Sequence, residues 1–148
     1  MATAPVKEMI NFMGSNPALL EGAPTIRQLR WMDDMAFTKP EAGKLSNPFI
    51  VFAHLEFHPG KRSETLPYWK GNLDCSKEES GTLIYGIGEE SDKPDDLFTL
   101  EVYESEDFLW NVHVKADAVQ ENINKTKDMR KDLKLAKLEL IGGYMCRE

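Results

Sequence analysis

At 148 residues, with a formal net charge of −7 and 41% hydrophobic residues, the chain is long enough for one domain with a real core. The acidic balance argues against general nucleic-acid binding, which depends on neutralising phosphates, and no uninterrupted apolar run is long enough to span a bilayer. The N-terminus lacks the pattern of a secretory signal, and the two cysteines, Cys75 and Cys146, sit in no metal-type or redox-type spacing, so reduced thiols in a cytoplasmic protein are expected.

Taken in chain order, Pro5–Met13 spaces Val6, Met9, Ile10 and Met13 for one face of a short helix, which Gly14-Ser15-Asn16-Pro17 ends. Thr25 is placed to cap a second helical segment, Ile26–Met35, and the prolines, glycine and polar residues of Thr38–Pro48 read as a linker. Residues 1–48 are therefore an N-terminal helical extension, and 49–148 form the domain. Phe49–Phe57 alternates as a strand, with Ile50, Phe52, His54 and Glu56 on one face. After the Pro59-Gly60 turn, Lys61 to about Cys75 reads as a helix, provided Pro67 falls in its first turn, where a missing N–H costs little. Strands follow at Thr82–Gly88 and Leu97–Tyr103, joined by the polar Asp92–Asp96. Ser105 then caps a helix over Glu106–Lys115, with Glu106 and Asp107 set favourably against its dipole. Asp117 and Gln120 resemble a capping box that opens a helix to about Lys127, and Leu133–Met145 supplies the last strand, bulged at Gly142-Gly143. From Pro48 the order is β-α-β-β-α-β, the ferredoxin-like arrangement of an α+β domain.

The richest chemistry lies at the corner between Leu97 and Lys115. Glu101 stands in an otherwise apolar strand, where a buried carboxylate needs a partner or a raised pKa. Tyr103 follows on that strand, and Trp110 and His113, three residues apart, share a helix face. An acid, a phenol, an indole and an imidazole at one corner suit a flat, partly polar small molecule. Tyr85, with Trp110, is the aromatic most suited to stack on such a ligand.

Four landmarks in this order resemble the antibiotic biosynthesis monooxygenase family. They are the turn His58-Pro59-Gly60-Lys61-Arg62, the lead-in Glu79-Ser80-Gly81-Thr82-Leu83-Ile84-Tyr85, the strand Leu100-Glu101-Val102-Tyr103-Glu104, and His113 in the helix that follows. Ser80 replaces the family's usual proline. The resemblance covers about residues 49–145 and implies a dimeric α+β barrel, in which two protomers pack their sheets face to face, with a pocket in each protomer between sheet and helices. It also implies a homodimer acting on an aromatic or polyketide-type metabolite of secondary metabolism with no cofactor and no metal. Asn122-Ile123 stand where haem-degrading relatives carry their iron-ligating histidine, so haem chemistry is not expected.

On this reading His113 is a general base or a hydrogen-bond donor to a phenol, since its unperturbed pKa lies near neutrality. His54 either lines the pocket as a second catalytic group, pairing with His113 or substrate, or packs in the dimer interface. Trp110, Tyr85, Tyr103 and Glu101 are the substrate-binding candidates. The leading function is a cofactor-independent monooxygenase. A non-redox cyclase, isomerase or decarboxylase needs the same residues, and a non-catalytic binding or accessory protein is the rival from another class. The basic run Lys125–Lys137 reads as a solvated face or as a rim that attracts an acidic substrate.

Overall fold

A computed structural model describes residues 4–19, 22 and 27–141. In chain order these form helix α1 (Ala4–Ser15), strand β1 (Arg30–Thr38), strand β2 (Phe49–Phe57), helix α2 (Lys61–Glu78), strands β3 (Thr82–Glu90) and β4 (Lys93–Tyr103), the short helix α3 (Glu106–Phe108) running into a π-helical turn (Leu109–His113), helix α4 (Asp117–Thr126) and strand β5 (Arg130–Leu138). The sheet order is β1-β3-β4-β2-β5 with every neighbouring pair antiparallel. Without β1, the order β3-β4-β2-β5 is that of the ferredoxin-like α+β fold. Among the described residues no helix is long and apolar enough to cross a membrane.

Strand alternation sorts side chains onto two faces. Ala53, Leu55 and Phe57 of β2 pack with Tyr85, Ile87 and Leu97 of the neighbouring strands against Trp69 and Leu73 of α2. The other face carries Ile50, Ile84 and Val102, packed against Ala42 and Leu45 from the segment before β2. Next to them Phe98 takes His54 on one side and lies under the Arg27 guanidinium. This second face is therefore partly covered by the chain's own N-terminal residues, while Phe52 and Leu100 remain half-buried there.

Several local expectations are corrected. Residues 30–35, expected as the second half of the helix Ile26–Met35, belong instead to β1, which lies on the open edge of β3. The reason is tertiary. Trp31 pairs with Gly88, and its indole fills the space that Gly86 leaves, where an added Cβ would come within 2.8 Å of the ring. Pairing also satisfies backbone groups of β3 that would otherwise form an exposed edge. Residues 32–35 loop out between Trp31↔Gly88 and Ala36↔Gly86, with Asp34 at φ 56°. Aspartate is one of the few non-glycine residues that enter this left-handed region readily.

Pro67 sits well inside α2, beyond the first turn, and the helix runs on to Glu78. Its inner face is partly polar: Thr65, Asn72 and Ser76 are buried beside Trp69 and Leu73, and Thr65 and Ser76 donate to main-chain carbonyls of Arg62 and Asn72 at 2.7 and 2.8 Å. Ser105 does cap α3, accepting from the Phe108 amide at 3.1 Å. Asp117 does not cap α4: Ala116 holds that position, and the Gln120 side chain donates to the Val114 carbonyl. β5 begins at Arg130, and Thr25, Ile26, the Gly142-Gly143 bulge and Cys146 lie outside the described residues.

Candidate functional site

On the helix-covered face, Glu101 points from the C-terminal end of β4 into a buried polar cluster. Its two carboxylate oxygens accept from the Thr99 hydroxyl at 2.8 Å and from the Tyr103 phenol at 2.7 Å. The strand period explains the set, since residues 99, 101 and 103 share one face. Tyr85 stands opposite Glu101 in the adjacent strand, and the Asn72 amide donates to its oxygen at 3.1 Å. Burial, reinforced by the Glu101 charge, pushes both the Tyr85 and the Tyr103 phenol well above their ordinary values. Both remain neutral hydrogen-bond donors throughout the physiological range.

His113 completes the cluster from above. Its ring centroid lies 5.1 Å from that of Tyr103 and 5.8 Å from that of Tyr85. Nδ1 bonds Glu79 Oε2 at 2.9 Å, and the two side chains are 4% and 9% exposed. The same Glu79 oxygen accepts from the Thr82 hydroxyl, and Lys39 donates to the Glu79 carbonyl. Burial alone raises the Glu79 pKa, but the hydrogen bonds from His113 and Thr82, with the positive fields of His113 and Lys39, outweigh it and hold the carboxyl below its usual range. An ionised Glu79 accepts a hydrogen bond from the Nδ1–H of His113, which leaves Nε2 as the ring nitrogen that can act as a base.

The chemistry available is that of a carboxylate-backed histidine base beside two neutral phenols, in a cluster shielded from water. The geometry brings His113, Tyr85, Tyr103 and Glu101 together. It does not bring Trp110 or His54 to them. Trp110 is 52% exposed because Leu109–His113 is a π turn, closed by the Val114 amide on the Leu109 carbonyl at 2.8 Å. The wider turn aligns His113 with Phe108 and Leu109, both buried, rather than with the residue three back. His54 lies on the opposite face of the sheet, where Nε2 bonds Asp96 at 2.7 Å and the ring stacks on Phe98 with centroids 4.4 Å apart. It cannot pair with His113 through the sheet.

Glu79, Asn72, Thr82 and Thr99 belong to the cluster but were not among the residues singled out for chemistry. Glu79 is 34 positions from His113, so no spacing rule connects them. The only sequence signal was its place at the head of the lead-in to β3.

A groove of about 580 Å³ lies between β1 and α2, lined by Met32, Met35, Leu66 and Pro67 together with the polar Arg30, Asp33, Ser63, Lys70 and Glu89.

The fold is a ferredoxin-like α+β fold built on a five-stranded antiparallel sheet. Residues 48–125 match the family model described as antibiotic biosynthesis monooxygenase, and the chain belongs to that family. All five residues of the Glu79, Tyr85, Glu101, Tyr103 and His113 set fall within the matched region. Among solved structures, a candidate monooxygenase of Fusobacterium nucleatum superposes with a TM-score of 0.67 at 22% identity, over 90% of this chain and 59% of that one. A candidate antibiotic biosynthesis monooxygenase of Bacteroides thetaiotaomicron gives 0.63 at 20% identity, over 69% and 96%. A candidate monooxygenase of Lactobacillus acidophilus gives 0.61 at 20% identity, over 72% of this chain. The chain spans about half of the Lactobacillus protein, 48% of its length. At these identities the likeness is one of fold. The comparison with curated protein sequences finds no match.

Proposed function

We propose that the protein is a cofactor-independent monooxygenase that oxidises an electron-rich aromatic or polyketide-type metabolite with dioxygen, His113 acting as the base. The observation that carries this reading is the buried Glu79–His113 pair set against Tyr103 and Tyr85. In the overall reaction an activated CH₂ group and O₂ give a carbonyl and water, so the substrate is its own reductant. His113 Nε2 removes a proton to form a carbanion delocalised onto a phenolic or carbonyl oxygen. One electron passes to dioxygen, the radical pair combines to a C–O bond, and the peroxide takes up the proton held on His113. Loss of the second C–H proton with cleavage of the O–O bond releases water and leaves the carbonyl. Glu79 stabilises the imidazolium at each stage.

A homodimer fits the same reading. Phe52 and Leu100, half-buried, and Leu138 and Trp31, exposed, share the sheet face away from the helices and offer an apolar surface to a second copy.

The test is turnover of a hydroxyanthrone-type tricyclic phenol by metal-free protein, in air and under argon, against autoxidation without protein. The reading predicts acceleration in air only, reduced by about a hundredfold in His113→Ala. Acceleration under argon would mark a non-redox cyclase, isomerase or decarboxylase. No acceleration of any such phenol would move the protein to the non-catalytic binders.

A further inference from the structure

Helix α1 leaves its apolar side chains in water: Met9, Ile10 and Phe12 are 53%, 48% and 59% exposed. With 3.6 residues per turn, Met9, Ile10, Phe12 and Met13 fall within an arc of about 160°. Lys7 and Glu8 flank that arc on opposite sides. A lone helix of 12 residues is marginal in water, and Asn11, Gly14 and Ser15 are weak helix formers. Such a helix is held chiefly by what its apolar face packs against.

The groove between β1 and α2 matches this face. Met32, Met35, Leu66 and Pro67 supply its apolar lining, with methionines that adapt to an irregular partner. Charges stand on both of its sides, Arg30 and Asp33 on β1 and Lys70 on α2. Arg30 is taken by Glu89, which leaves Asp33 as the charge that β1 offers. Lys70 reaches from the opposite side, and its present partner Asp74 is shared with Lys77. A helix laid along the groove with Lys7 toward Asp33 sets Glu8 toward Lys70. The reverse direction would set like charges together, so the charges select one direction of the two.

We infer that α1 is a lid that seats its apolar arc in this groove of its own chain. In the structure the lid stands open. The tether favours the same chain over a second copy. Arg27 is fixed to Glu90 at 2.7 Å, next to the groove residue Glu89, and residues 16–26 run from there back to the helix. Those residues reach at most roughly 40 Å when extended. A tether that short holds the helix at an effective concentration on the order of millimolar, about a thousandfold above that of a second copy at micromolar protein. Closure takes the apolar side chains of both surfaces out of water. The groove lies at the Glu89 end of β3, whereas the Glu79–His113 pair meets Thr82 at the other end, so the inference stands apart from the proposed chemistry.

Hydrogen exchange of the full chain, read by mass spectrometry over α1, tests it. The α1 amides should exchange at least about tenfold more slowly than those of an unstructured peptide, and equally slowly at low and high micromolar protein. Phe12→Asp, at an exposed position, should bring them close to the unstructured rate. Glu8→Lys and Lys70→Glu should each lose about threefold of the protection, and the double variant should regain it. These positions lie on the surface, so the variants keep the fold. Unprotected α1 amides in the wild type, or protection untouched by Phe12→Asp, would overturn the inference. So would the absence of recovery in the double variant. Protection that rises with protein concentration would overturn it as well, by placing α1 on a second copy.

Discussion

Glu79 satisfies His113 and Thr82 with one carboxylate oxygen while sitting nearly out of water, and that economy makes it the positioning residue of the base. Glu79→Gln keeps the shape but lets the amide present N–H to Nδ1, favouring the wrong tautomer. We expect kcat to fall at least about tenfold with KM little changed and the acid limb of the pH–rate profile displaced, with partial recovery in Glu79→Asp. The depressed carboxyl also has a stability consequence. Because the folded-state pKa lies below the unfolded value of about 4.3, the stabilisation is present above that pH and is lost as pH falls through the folded value. Denaturant titrations between neutral pH and pH 3 should show the gap between wild type and Glu79→Gln closing on acidification. A gap that widens would contradict the assignment. The phenols behave in the opposite sense. Tyr85 and Tyr103 have folded pKa values raised above the ordinary value of about 10, chiefly by burial and then by Glu101. Stability should hold up to about pH 10 and then fall by up to about 1.4 kcal/mol per pH unit for each phenol, until the folded values are passed. Phenolate absorbance should show these two tyrosines ionising only as the protein unfolds.

At the level of elements, the contact between β1 and β3 is the most easily broken. Gly86→Ala places a methyl 2.8 Å from the Trp31 ring, so the ring or the strand must move. A loss of about 1–3 kcal/mol is expected, as for other overpacked sites. Pairing it with Trp31→Ala should cost less than the sum of the two single changes, measured by chemical denaturation. Trp110→Ala, by contrast, should leave stability within about 0.5 kcal/mol, because the side chain is exposed. These two tryptophans mark where the sequence was legible and where it was not. β2, β3, β4 and the Ser105 cap carry their own signals: alternation in Phe49–Phe57, a continuous buried run in Thr82–Gly88, a serine ahead of two acids. Strand formation by Arg30–Thr38 depends on two glycines more than fifty residues away, which no local pattern reports. The π turn that exposes Trp110 depends on one hydrogen bond spanning five residues, invisible to a reading that assumes an α-helical period.

For the molecule as a whole, the sheet divides the candidate chemistry from the candidate interface. Glu101, Tyr103 and His113 were legible as a group because one strand and one capped helix deliver all three. Their true partners were not, since Glu79 and Asn72 arrive from α2 and the residues just beyond it through packing alone. His54 belongs to the other face, with Asp96 and Phe98. If two copies join through that face, Leu100→Asp should yield a monomer in sedimentation at micromolar concentration while the wild type sediments as a dimer. A variant that sediments like the wild type would place the interface elsewhere.

The proposed chemistry requires that a protein base, and dioxygen itself, do the work. Product formed from a hydroxyanthrone-type phenol under ¹⁸O₂ by metal-free protein tests this most directly. We predict one labelled oxygen atom in each product molecule at a rate well above autoxidation, and a rate near autoxidation in His113→Ala. Unlabelled product, or a labelled product formed equally fast without His113, would contradict it.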